Sequence, residues 1–108
     1  MDIKTEIKNT INENEVCLYM KGVPEAPQCG FSMAISNILK LLKVSFKAIN
    51  VLENEEVRSG IKAYSDWPTI PQLYVKGEFV GGCDIIKEMF EKKELQSKLA
   101  EKKIPYKN

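Results

Sequence analysis

Apolar positions recur with different spacings along this chain, and each spacing predicts a different element. Ile3, Ile7 and Ile11 fall four apart within residues 2–13, which puts them on one stripe of a short amphipathic helix. Val16-Cys17-Leu18-Tyr19-Met20 is an unbroken apolar run of strand length, the pattern of a buried central strand. Residues 21–28, punctuated by Gly22, Pro24 and Pro27, read as a loop. Helical spacing returns over residues 30–43 through Phe31, Ile35, Ile38, Leu39 and Leu42, and alternation over 45–51 predicts a strand. Asn54 followed by Glu55-Glu56 is good first-turn chemistry for a helix over 54–65, although Gly60 inside it weakens the pattern. Trp67-Pro68-Thr69-Ile70-Pro71 is a stiff, irregular connection. Two strands, 72–75 and 78–80, flank Lys76-Gly77 as a hairpin, and Gly81-Gly82 allows close backbone approach. Apolar Ile85, Ile86, Met89 and Phe90 predict a helix over 84–92, and Leu95 and Leu99 a polar one over about 94–102.

The resulting order, α-β-α-β-α-β-β-α-α, is that of an α/β protein with a mixed sheet covered by helices on both faces. Composition changes the picture little: 108 residues and 44% apolar content suit a single domain over 1–108 with one core. Charge and residue types exclude more. A formal net charge of +1 makes no electrostatic case for a nucleic-acid or membrane partner. The absence of histidine removes Cys–His and Ser–His–Asp catalysis and any His-ligated metal. Three cysteines, an odd number, are too few for a secreted disulfide framework, so a reducing compartment is expected. Met1-Asp2-Ile3-Lys4-Thr5-Glu6 has neither an apolar signal core nor the Arg-rich, acid-poor look of a transit peptide.

Candidate chemistry centres on Cys29-Gly30-Phe31-Ser32. A cysteine between a proline-rich loop and a helix lies at the helix N-terminus, where free N–H groups and the dipole favour a thiolate. Ser32 stands where a second cysteine would close a local disulfide, so the chemistry uses one protein thiolate plus a thiol or metal from outside. Cys17, mid-strand, reads as a small core hydrophobe. Cys83 either packs beneath a ligand or forms a disulfide with Cys29 under oxidation, since spacing alone does not set the sulfur separation. Ser32 counts here only for not being cysteine. Trp67 reads as a packed aromatic, and the lysine-rich end (Lys92, Lys93, Lys98, Lys102, Lys103, Lys107) as a solvated face.

Lys21, Cys29-Gly30-Phe31-Ser32, Trp67-Pro68-Thr69-Ile70-Pro71 and Gly81-Gly82-Cys83-Asp84, in that order on those elements, resemble the CGFS-type monothiol glutaredoxins over nearly the whole chain. The resemblance implies a thioredoxin-like fold with a four-stranded mixed sheet flanked by helices on both faces. It implies glutathione as a ligand and a [2Fe–2S] cluster bridged between two subunits, each giving one thiolate, with two glutathiones giving the rest. Carried over, the cluster ligand and redox-active residue is Cys29. Glutathione contacts fall on Lys21, Arg58, Ile70, Cys83 and Asp84, with Lys62 and Thr69 beside them, and Pro71 follows a cis peptide bond. Implied partners are a second copy in a cluster-bridged homodimer, BolA-like proteins and apo iron–sulfur acceptors. The implied location is the cytoplasm, either the bacterial cytosol or an organelle matrix if this is a mature form.

The residue types suit that ligand. Glutathione has two carboxylates, an ammonium and a thiol, so its site needs cations at one end and an anion with donors at the other. Lys21, Arg58 and Lys62 supply cations, Arg58 in a forked geometry that lysine lacks. Lys62 as an ordinary exposed helix lysine and Asp84 as a plain helix cap are the competing readings. Free N–H groups at the start of the helix after Gly82 can hold a carboxylate, and Thr69-Ile70-Pro71 can pair with an extended tripeptide. Three functions follow. The chain is mainly a glutathione-dependent cluster carrier, with at most weak enzymatic activity. Alternatively it is a thiol–disulfide oxidoreductase working through a Cys29 mixed disulfide, or a regulatory module that docks a partner.

Overall fold

A computed structural model describes residues 2–107. Helix α1 (Ile3–Glu13) leads into strand β1 (Val16–Met20), the short strands β2 (Gly22–Val23) and β3 (Ala26–Pro27), helix α2 (Gly30–Leu41) and strand β4 (Lys47–Asn50). A single 3₁₀ turn, Val51–Glu53, precedes helix α3 (Glu55–Ser65). The hairpin β5 (Gln72–Val75) and β6 (Glu78–Gly81) and helices α4 (Cys83–Glu91) and α5 (Glu94–Glu101) complete the chain. Local chemistry sets the helix starts. The Asp2 carboxylate accepts from Thr5 N at 2.8 Å, and Asn54 Oδ1 accepts from Glu56 N at 2.9 Å and Val57 N at 3.3 Å.

The four-stranded sheet has the order β4-β1-β5-β6. β1 runs parallel to β4, with Cys17 opposite Lys47, and antiparallel to β5, with Leu18 opposite Leu73. The apolar run in β1 follows from this central place, because each of its faces lies against a separate core. Val16, Leu18 and Met20 join Ile35 and Leu39 of α2, Ile86 of α4 and Leu95 and Leu99 of α5. Cys17 and Tyr19 point the other way, onto Ile7 and Ile11 of α1 and Ile61 of α3. The mixed sheet with helices on both faces is therefore the one the pattern predicts. Cys17 is wholly buried, its Sγ donating to Thr10 O at 3.5 Å, and burial pushes its thiol up to about 11. Among the described residues no helix is long and apolar enough to cross a membrane.

The structure departs from the pattern in several places. Residues 21–28 carry the two-stranded β2–β3 hairpin instead of a plain loop. The strand expected over 45–51 covers only Lys47–Asn50, because Val51 turns into the 3₁₀ segment. Phe31, placed on the apolar stripe of α2 by its spacing, is 64% exposed. The end of α2 has no glycine to mark it: Lys43 takes the left-handed position (φ 58°). There Lys43 N donates to Lys40 O and Val44 N to Leu39 O, both at 3.0 Å, the pairing of a Schellman cap. Since a side chain is strained at that φ, Lys43→Gly is expected to raise stability by about 0.5–1 kcal/mol. Chemical denaturation checks this, and a loss of stability would contradict it.

Candidate functional site

Cys29 is the residue that caps α2. Its backbone is extended and its Sγ accepts from Ser32 N at 3.3 Å. Ser32 is fully buried, and its Oγ lies 3.4 Å from the Cys29 sulfur while accepting from Lys21 N at 3.0 Å. In the thiol form the sulfhydryl donates to this oxygen. Once the sulfur ionises, the hydroxyl can turn and donate to it, with the Lys21 amide still on its lone pair. Partial burial pushes the Cys29 thiol up, but hydrogen bonds from the Ser32 side chain and backbone and from the Phe31 backbone, with the Lys21 charge, outweigh it. The net shift is downward. Cys83 moves the opposite way: burial raises its thiol against the pull of Lys87, with Asp84 and Cys29 adding to the rise.

The sulfurs of Cys29 and Cys83 thus sense one another while sharing no bond. Ser32→Ala removes the hydroxyl and is expected to shift the pH midpoint of Cys29 alkylation upward. An unshifted midpoint would show that Ser32 does nothing for the thiolate. In the parent protein Cys29 should alkylate at lower pH than Cys83, since its thiolate persists to lower pH.

Beside Cys29 lies a cleft of about 420 Å³, within the size range of small-molecule sites. Of the residues singled out in the sequence, Lys21, Lys62, Thr69, Ile70, Cys83 and Asp84 line it. Phe31, Trp67, Pro68, Pro71, Gly82 and Ile85 complete the wall. Cys29 is not part of the wall but stands at its margin, within electrostatic reach of Lys21 and Cys83, which are. Arg58 lies one turn before Lys62 on α3 and is not part of the wall. The Ile70–Pro71 peptide bond is cis. The Ile70 side chain packs into the core shared by α1 and α3, which leaves its backbone for the cleft. Asp84 is not the cap of α4: Gly82 holds that position without a side-chain hydrogen bond, and α4 begins at Cys83. The first N–H groups of α4 therefore open at the cleft beside Asp84. Trp67 is more than a packed aromatic. It packs at a tilt against Phe79 with ring centroids 5.8 Å apart and also walls the cleft. A Cβ at Gly82 would come within 3.1 Å of its Nε1, so glycine keeps this corner open.

Two residues of the site escape the sequence reading. Ser32 sits three residues after a helix cap, the spacing of a capping box, and that was the available signal. Gln72 is fully buried at the head of β5. Its Nε2 donates to Trp67 O and Thr69 O, each at 3.2 Å, and Tyr74 O–H donates to its Oε1 at 2.9 Å. An amide opening an otherwise apolar strand was the clue there.

The Glutaredoxin family profile matches residues 16–80. Glutaredoxin 4 of Haemophilus influenzae is 46% identical over 101 residues, 94% of each chain. Monothiol glutaredoxin-S14, chloroplastic, of Arabidopsis thaliana is 50% identical over 97 residues, 90% of this chain. The chain belongs to the monothiol glutaredoxins. This glutaredoxin spans about half of the Arabidopsis relative, 56%, and 20% of Monothiol glutaredoxin-S11 of Oryza sativa. Its fold matches the solution structure of a monomeric truncated mutant of Trypanosoma brucei 1-C-Grx1, with a TM-score of 0.90 and 41% identity over 100% of this chain and 97% of that one. A buckwheat glutaredoxin–glutathione complex, 17% identical, shares the glutaredoxin fold with a TM-score of 0.83 over 95% of this chain and 92% of that one.

Proposed function

We propose that this glutaredoxin binds glutathione in the cleft and carries a [2Fe–2S] cluster held between two copies, each contributing the Cys29 thiolate. The observation that carries the reading is the charge pattern around that thiolate. Lys21 and Lys62 put two cations in the wall, and Asp84 with the open N-terminus of α4 puts an anion beside free donors. That is the complement of a tripeptide with two carboxylates and one ammonium. In this reading the lysines take the glycine carboxylate, with Arg58 one turn away adding to the field. Asp84 takes the ammonium, the N–H groups at Cys83 and Asp84 take the γ-glutamyl carboxylate, and Thr69 and Ile70 pair with the middle of the peptide. The buckwheat glutaredoxin of the same fold was solved with glutathione.

The cluster is cargo, and the donor count supports its sharing. A [2Fe–2S] centre takes four thiolates. Among the described residues no three His, Cys, Asp or Glu side chains gather to hold a metal, so one chain offers Cys29 and the remaining donors come from outside. Two chains and two glutathiones complete the set, and the dissociable half suits transfer to acceptor proteins or assembly with a BolA-like partner. A reducing compartment such as the cytosol or an organelle matrix supplies the glutathione.

The lowered Cys29 thiol favours a second, slower activity. Its thiolate attacks the glutathione sulfur of a mixed disulfide and expels the substrate thiolate. A second glutathione thiolate then regenerates Cys29 and leaves as glutathione disulfide. Reconstitution with iron and sulfide, with and without glutathione, tests the main reading. Visible cluster absorption from a dimer is expected only with glutathione, and equal absorption without it would refute the shared ligand set.

A further inference from the structure

We propose that Gln72 is a positioning residue for the tripeptide: its carboxamide turns the Trp67 and Thr69 carbonyls inward and so aims the Ile70 N–H into the cleft. The inference rests on the glutathione reading above and assigns a role to a residue that does not line the cleft. Gln72 is 0% exposed, and its three hydrogen bonds, two to loop carbonyls and one from Tyr74, leave the amide a single satisfactory orientation. Flipped, the amide would set its oxygen against two carbonyl oxygens. Tyr74 holds the far end as a donor, since burial pushes its hydroxyl up to about 12 and keeps the proton in place.

Peptide geometry carries the effect to the cleft. The Thr69–Ile70 bond is trans, so its C=O and N–H point in opposite directions. With Thr69 O drawn inward to Gln72, the Ile70 N–H faces outward. Neighbouring groups leave that N–H available. The Ile70 side chain is buried, Pro71 has no N–H, and among the described residues none makes a main-chain hydrogen bond with Ile70. An apolar side chain could fill the same space at the start of β5 without burying an amide. The amide therefore matches a need for fixed peptide planes better than a need for packing.

Calorimetric titration of the full chain with glutathione tests this, alongside thermal unfolding and the Cys29 alkylation profile. Gln72→Met keeps the length of the side chain and loses both donors. It is expected to weaken glutathione binding about tenfold while leaving the Cys29 midpoint unmoved. Gln72→Glu preserves the shape and adds a titration. At pH 8 the carboxylate repels the two carbonyls and binding is weak. Toward pH 6 the buried carboxyl takes up a proton, can donate to one carbonyl, and the deficit relative to the parent protein narrows. A folded Gln72→Met that binds within twofold of the parent overturns the proposal, as does a Gln72→Glu deficit that is constant with pH. If Gln72→Met does not fold, the pH series on Gln72→Glu decides alone. A parent protein that takes up no glutathione overturns the tripeptide reading itself, a result separable from the behaviour of either variant.

Discussion

Cys29→Ser is expected to eliminate cluster absorption and the lower-pH alkylation step, leaving Cys83 to alkylate at higher pH and the fold in place. The expectation of a clean loss comes from the cap geometry. Serine is a favoured helix cap, and its oxygen can accept from Ser32 N as the sulfur does now, so stability should change by only about 0.5 kcal/mol. What disappears is ionisation, because an alkoxide is out of reach near neutral pH whereas the present thiol is held below its usual range. Visible spectra after reconstitution and a thermal melt on the same sample separate the two effects. Cluster absorption retained in a folded Cys29→Ser protein would remove Cys29 as the iron ligand.

The largest effect on stability is expected from Gly22→Ala. Gly22 is buried at φ +91°, where a Cβ would lie 2.6 Å from Gln28 N and 2.7 Å from Ala26 O. Both are backbone atoms of the hairpin, so neither can swing aside. The left-handed conformation adds strain for any side chain, and the sum is about 2–4 kcal/mol. The same residue anchors the loop before the cysteine: Gly22 N donates to Asn50 Oδ1 at 2.9 Å, and Gln28 N closes onto Lys21 O at 2.9 Å. Gly22→Ala should therefore lower the denaturation midpoint and also blunt Cys29 alkylation in the protein that remains folded. A variant with an unchanged midpoint would mean that the hairpin relaxes at no cost.

How much of this was legible in the chain depends on the range of the interactions. β1 could be read because both of its faces are covered, so burial of Val16 to Met20 needs no knowledge of the partners. The β5–β6 hairpin could be read because Lys76-Gly77 is local turn chemistry, with Gly77 at φ 82°. The β2–β3 hairpin could not, since two-residue strands carry no period and its clamp, Asn50, lies 28 residues on. Three helix ends were overrun by one or two residues for the same kind of reason: Lys43, Lys93 and Lys103 occupy left-handed positions where glycine would have announced the stop, whereas the end of α3 at Ser65 was read although Asp66 is left-handed too. In the site, residues whose groups face the cleft were found by type and order. Ser32 and Gln72 were missed because their value lies in oxygens and amides satisfied deep inside, by Lys21 and by the loop ahead of β5.

The tail beyond α5 has a practical consequence. Ile104 is buried, and Lys107 N donates to Leu42 O at 2.7 Å, so the C-terminal segment is stitched to the last turn of α2. Cys29 sits at the first turn of that helix, about 18 Å away along twelve residues. A fluorophore, affinity handle or fused protein attached after residue 107 therefore departs from the pole opposite the reactive sulfur, and single-molecule or pull-down work can be anchored there without crowding the mouth.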